Sequence, residues 1–231
     1  MIGQVNFAAV ETATPWCSVA LWHDGEIVSL ERRAGNRQGE FVLPMLDELF
    51  GRAGLRLQNL DGIAFGAGPG AFTGLRIACG VAQGLALARD LPVIGVSTLE
   101  ATAEESGAER VIVALDARMH EVYYAAFEKA GGKWTQALPA VCVAPDKVDV
   151  PEGSGWLGCG SGFEVYRESL EKRLASACKR IEPAIGPSAV AVARLAAPRF
   201  AAGEGVDAAL AQPHYIRDKV ALTTAEQARD K

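Results

Sequence analysis

Apolar residues alternate with polar ones at strand spacing near the start of the chain, then shift to helical spacing. Val5 to Val10 reads as a first strand and ends in a polar turn, Glu11-Thr12-Ala13-Thr14-Pro15. In Trp16 to Trp22, Cys17, Val19 and Leu21 alternate with Ser18 and Ala20, which predicts a second strand. Asp24-Gly25, inside the turn from His23 to Glu26, tolerates the positive φ of a tight hairpin and returns the chain as a third strand, Ile27 to Arg32. A polar loop from Ala34 to Glu40 follows. Val42, Met45, Leu46, Leu49, Phe50 and Ala53 then share one helical face. Pro44 has no amide to donate, which places the helix start a turn or less before it, and Gly54 is the predicted stop.

The densest pattern is Ile63-Ala64-Phe65-Gly66-Ala67-Gly68-Pro69-Gly70-Ala71-Phe72-Thr73-Gly74-Leu75-Arg76. It predicts a buried strand, a turn built on Gly66, Gly68, Pro69, Gly70 and Gly74, and a helix from about Thr73 to Arg89. The glycines allow positive φ and close approach of backbones, Pro69 presses Gly68 towards an extended conformation, and the Thr73 hydroxyl is a candidate N-cap. At about 100° per residue, Ile77, Ala78, Val81 and Leu85 form a sheet-facing stripe. The opposite side carries Arg76, Cys79, Gly80, Gln83, Ala86 and Leu87, with no other charge. A solvent-facing helix carries charge on its outer face. This helix is therefore either enclosed within its own domain or shared with a partner. Arg76 has two readings, an interface residue or a tie to carbonyls of the glycine turn.

Pro92 to Val96 predicts the fifth strand, and Ser97-Thr98-Leu99-Glu100 is a capping box opening a helix. The order then partly repeats. Val111 to Leu115, Glu121 to Phe127, Ala140 to Ala144 and Trp156 to Gly158 read as strands. A second glycine turn, Gly158-Cys159-Gly160-Ser161-Gly162, precedes helices at about Tyr166 to Ser176 and Ser188 to Ala202. A β-β-β-α-β-α unit occurring twice resembles the layout of the actin, sugar-kinase and Hsp70 superfamily. That implies an α/β fold of two lobes, each with a mixed sheet and flanking helices. The division falls at 1–106 and 107–231, with the C-terminal helix in the second lobe and a polar tail after Arg217.

Composition narrows the function classes. A net charge of −5 argues against autonomous nucleic-acid binding, which draws on a basic surface. The first residues lack the basic start and apolar core of a signal peptide, and no apolar run reaches the roughly 18 residues of a membrane span. Five cysteines without a CxxC pair point to reduced thiols and a cytoplasmic location. The three histidines, His23, His120 and His214, are not paired on a helix, so no metal site is expected.

The motifs together are similar to the bacterial TsaB (YeaZ) family. Gly66 to Ile77 carries most of the resemblance. Gln83-Gly84-Leu85-Ala86, Ile94 to Leu99, Glu11 to Thr14 with Cys17 to Leu21, and Leu43-Pro44 add to it. So do Ala114 to Arg118 with Glu121-Val122-Tyr123, and the closing Pro213-His214-Tyr215-Ile216-Arg217. The match runs to about Val220. The resemblance implies a subunit, without catalytic residues of its own, in making tRNA threonylcarbamoyladenosine beside the anticodon. It implies pairing with the paralogue TsaD, which transfers the threonylcarbamoyl group, and assembly with the small ATPase TsaE. It also implies a homodimer when alone, and tRNA met only through the complex. No cofactor is implied, apart from a nucleotide at the complex interface. The implied contact lies on the two first-lobe helices, at Leu43, Asp47, Phe50, Arg76, Cys79, Gly80, Gln83 and Leu87.

The alternative is a working ATPase or small-molecule kinase, with Glu11, Thr12, Thr14 and Asp116 as nucleotide-cleft groups. Against it, Glu11 stands where many relatives carry Asp, and Gln38-Gly39-Glu40 where many carry a His-containing turn. Thr12, Thr14 and Asp116 are also ordinary turn-capping residues. A dinucleotide site at Gly66-x-Gly68-x-x-Ala71 lacks an acid ending the next strand, which closes in Ser97-Thr98. Leu75 stands where a phosphate-binding loop carries Lys, and nothing arranges a nucleophile and base for proteolysis.

Overall fold

The computed structural model describes residues 5–217. The predicted polar tail after Arg217 lies outside them. Strands β1 (Phe7–Glu11), β2 (Trp16–His23) and β3 (Glu26–Arg33) form an antiparallel meander. Helix α1 (Gln38–Ala53) leads to β4 (Gly62–Gly68), helix α2 (Phe72–Leu87), β5 (Val93–Ser97) and helix α3 (Thr98–Glu105). β4 joins β1 in parallel, so the first sheet runs β3-β2-β1-β4-β5. The second lobe holds β6 (Arg110–Asp116), β7 (Val122–Ala130), β8 (Lys133–Val143) and β9 (Trp156–Cys159). Short α4 (Gly162–Val165), α5 (Arg167–Leu174) and β10 (Cys178–Glu182) complete it, and α6 (Ala189–Ala201) follows along the chain. Its sheet order, β10-β9-β6-β7-β8, is the first sheet's order with equivalent strands in equivalent places.

The duplication is thus more complete than the chain pattern predicts. β10 and the first half of β8 carry no alternating apolar pattern, because Lys179, Arg180, Lys133, Thr135 and Gln136 cover these edge strands with polar side chains. The helix that should match α1 is absent: Pro145–Lys147 forms only a short 3-10 turn there.

Three local expectations need correction. α1 starts at Gln38, well over a turn before Pro44. Glu40 and Pro44 are both exposed, so water can take the Glu40 carbonyl that a proline four residues on leaves unpaired. α2 starts at Phe72 with Ala71 as its cap, and Thr73 lies inside the first turn, exposed and uncapping. The start is set from outside, where the Ala71 amide donates to the Ala13 carbonyl at 2.9 Å. Finally, the buried residues of α2 are Leu75, Ala78, Cys79, Ala82 and Ala86, while Ile77, Val81 and Leu85 are only half-buried. Small residues let the helix sit close to the sheet, and Ile77 turns towards α1, near Gly39.

The division between residues 106 and 107 separates the sheets but not the helices. α6 returns to the first lobe, packing Ala189, Val192, Ala193, Ala196 and Phe200 on Phe7, Ala9, Ala20, Ala64 and Ile94. α3 does the reverse, with Leu99 and Ala103 under Val111, Val113 and Phe127 of the second sheet. Helices crossing between lobes explain how the chain buries both faces of the first sheet, whose other face is covered by α1 and α2.

Candidate functional site

The glycine turn between β4 and α2 is filled by the chain itself. A Cβ on Gly74 would lie 2.0 Å from the Thr12 carbonyl oxygen, and one on Gly70 2.6 Å from Ala13 Cβ. A Cβ on Gly66 would lie 1.9 Å from the Glu11 carboxylate. Only Gly68 among these four has positive φ, +114°, and its Cα faces the His214 carbonyl. The bond from Gly68 to Pro69 is cis, and Gly68 takes this positive φ in place of the extended conformation that its position before Pro69 predicts. Three of the four glycines therefore serve close packing against the β1–β2 turn.

The candidate nucleotide groups are engaged in the same packing. Thr12 is buried and donates its hydroxyl to the Gly74 carbonyl at 2.7 Å. The Thr14 hydroxyl accepts the Trp16 amide two residues on. Asp116 does the same for Arg118 at 2.8 Å, accepts the Tyr166 hydroxyl, and pairs with the Arg118 guanidinium. Glu11 is closed off from solvent; one oxygen accepts the Ala13 amide at 2.6 Å and the other has no hydrogen-bond partner among the described residues. Burial pushes its carboxyl up to about 7, against the pull of the Ala13 and Thr12 amides and the nearby Thr98 hydroxyl.

Between the lobes lies a cleft of about 850 Å³. Thr14 and Asp116 line it; Glu11 and Thr12 do not. Trp16, Phe72, Met119, Val165 and Tyr215, all large and exposed, sit along its walls. At its second-lobe edge Arg118, Met119 and His120 have φ of +60°, +52° and +57°. Left-handed geometry costs a side-chain-bearing residue about 1–2 kcal/mol, so the surroundings must hold this turn. Arg217 does so from outside, donating to the Ala117 carbonyl at 2.9 Å and pairing with Glu121. Among the described residues, no three His, Cys, Asp or Glu side chains cluster as a metal site.

The residues implied for a partner contact divide. Leu43 and Leu87 are 54% and 58% exposed, and Asp47, Arg76 and Gly80 are also at the surface. A Cβ on Gly80 or Gly84 would meet open space. Phe50 is half-buried against the core. Cys79 is buried, and its thiol and the Gln83 amide both reach the Ala211 carbonyl, so these two face the chain's own C-terminal segment. Arg76 stacks on Phe72 at 3.6 Å and donates to the Tyr215 hydroxyl at 3.2 Å; among the described residues it makes no hydrogen bond to the glycine turn.

Over residues 32–225 the chain matches the family model described as "TsaD: tRNA N6-adenosine threonylcarbamoyltransferase". It is 36% identical to the Escherichia coli tRNA threonylcarbamoyladenosine biosynthesis protein TsaB, over 94% of this chain and 96% of that one. The chain belongs to the TsaB (YeaZ) family. The Haemophilus influenzae TsaB is 34% identical over 94% of this chain and 95% of its own. The solved structure of YeaZ from Pseudomonas aeruginosa superposes with a TM-score of 0.85 at 39% identity, covering 91% of this chain and 99% of that one. The two-lobed α/β fold expected from the repeat is therefore the family's fold. No helix among the described residues is long and apolar enough to cross a membrane.

Sequence reasoning overlooked the segment from Ala211 to Arg217 as a structural part of the site. Pro213 to Arg217 was legible as a motif, but its partners on Ala67, Phe72 and Arg76 lie some 140 residues away, with a separation of 139 residues between Arg76 and Tyr215.

Proposed function

We propose that this chain is the non-catalytic subunit that docks TsaD during synthesis of tRNA threonylcarbamoyladenosine. The observation that carries the reading is the outward face of α1 and α2. Leu43, Gly80, Gly84 and Leu87 are exposed there, and the two glycines leave room for another helix to approach. The names of the relatives supply the pathway, and the match to the TsaD family model fits a protein that pairs with a paralogue. TsaE then joins the assembly, tRNA is met through the complex, and the free chain pairs with itself on the same face. Any nucleotide belongs to the complex interface. The kinase alternative is less well supported, because Glu11, Thr12, Thr14 and Asp116 are all committed to holding turns.

Size-exclusion chromatography with light scattering tests this, on the protein alone and mixed with TsaD of the same organism, with ATP turnover measured on each peak. A homodimer that converts to a heterodimer, with no turnover by the free chain, is the expected result. A monomer that ignores TsaD and hydrolyses ATP overturns the reading.

A further inference from the structure

The segment from Ala211 to Arg217 has no regular secondary structure, yet it is bonded to both lobes. On the first lobe, the His214 amide donates to the Ala67 carbonyl at 2.6 Å, and the Tyr215 ring lies 5.4 Å from that of Phe72. Arg76 holds the Tyr215 hydroxyl, while Cys79 and Gln83 of α2 hold the Ala211 carbonyl. On the second lobe, Arg217 donates to the carbonyls of Ala117 and Arg118 and pairs with Glu121, around the left-handed turn. From His214 to Arg217 is three residues, a reach of at most about 11 Å when fully extended. The lobes cannot part here without releasing one set of bonds. The contact is also built into the fold: Gly68 lacks the Cβ that would lie 2.6 Å from the His214 carbonyl oxygen.

We propose that residues 211–217 are a strap that ties the lobes, sets the opening of the interlobe cleft, and links that opening to helix α2. His214, Tyr215, Ile216 and Arg217 themselves line the cleft, so releasing the strap changes both its width and its wall. The same α2 that holds Ala211 through Cys79 and Gln83 presents Gly80 and Leu87 outward, one helical turn away. A partner gripping that outer face therefore stiffens the helix on which the strap is anchored. This last link rests on the docking reading above; the tie between the lobes does not.

Hydrogen exchange on the full-length chain tests the strap. In Arg217→Ala, amides of Met119 to Glu121 should exchange at least tenfold faster, and those of Ala67, Gly68 and Gly70 should follow although they lie on the other lobe. Tyr215→Ala, which removes the Phe72 and Arg76 contacts and so weakens the first-lobe end, should reproduce both changes. Because one tie can be cut only once, the double variant should exchange no faster than the faster single variant. Multiplying rates in the double variant, or acceleration confined to the lobe carrying each substitution, would mean two local contacts and overturn the proposal. If Arg217→Ala fails to fold, Tyr215→Phe removes only the hydroxyl bond to Arg76. A severalfold acceleration at Met119 to Glu121 is expected there, and none overturns the tie. With TsaD added, exchange at Met119 to Glu121 should slow in the wild type but not in Tyr215→Ala. TsaD that binds the wild type without this slowing refutes the link to α2. TsaD that does not bind at all refutes the docking reading, while the free-protein exchange still decides the strap.

Discussion

Helix α2 and the α4–α5 pair hold equivalent places in the two lobes, each after the parallel strand that flanks the lobe's first strand. Their inner sides follow the same rule. Gly74 makes room for the Thr12 carbonyl, and Gly160 makes room for the Ala114 carbonyl, which would lie 2.4 Å from a Cβ. Their outer sides differ. α5 exposes Arg167, Glu168, Glu171, Lys172 and Arg173, as a helix facing water does. α2 exposes Gly80, Gly84 and Leu87, with Arg76 stacked on Phe72. The fold requires only the inner faces to agree. The divergence of the outer faces is what the proposed docking on α2 rests on, and the glycine turns, for all their likeness to phosphate loops, are packing devices.

The comparison breaks most severely at the inner face. Gly74→Val should cost more than about 3 kcal/mol in urea unfolding, because backbone at 2.0 Å cannot yield as a side-chain tip can. Unchanged stability would show that the turn is not packed as described.

Next in size is Glu11. Its carboxyl titrates at 4.5 when unconstrained and at about 7 when folded, so the folded state holds the proton more tightly. Stability is full below the lower value, falls as pH rises between the two, and levels off above the higher. The loss should be roughly 3 kcal/mol, and Glu11→Gln should flatten it. Urea unfolding at closely spaced pH values reads this, and a wild-type curve already flat over that interval would refute the burial argument.

The outer face should separate folding from association. Gly80→Leu meets open space, so the monomer should unfold as before, or slightly later given the helix preference of Leu. Its affinity for TsaD should fall by about one to two orders of magnitude, or roughly 1.4–2.8 kcal/mol. Undiminished binding would move the contact elsewhere. The smallest effect belongs to α5, where Glu171→Ala breaks the exposed pair with Arg167 and should change stability by less than about 0.5 kcal/mol, with TsaD binding untouched.

Most of the elements were legible in the chain pattern because local rules agree with the final fold. Asp24-Gly25 makes the first hairpin, Gly54 ends α1 in the left-handed region, and Ser97 and Ser188 cap α3 and α6 through their hydroxyls. The failures occur where a distant contact overrides a local preference. Thr73 has the chemistry of a cap, but the Ala13 carbonyl decides where α2 begins. Cys79 and Gln83 fall on the outward side by helical spacing, yet Ala211 covers them.

By itself, the sequence determined the two-lobed repeat, the family, and the small-residue character of α2. Each rests on short-range spacing or on motifs read in order. Only the tertiary structure decided that Glu11, Thr12 and Asp116 hold turns, that α6 returns to the first sheet, and that Arg217 closes the second lobe's strained turn. Those outcomes depend on which partner each group finds, from an amide two residues on for Glu11 and Asp116 to carbonyls about a hundred residues away for Arg217, and the chain pattern does not choose among such partners.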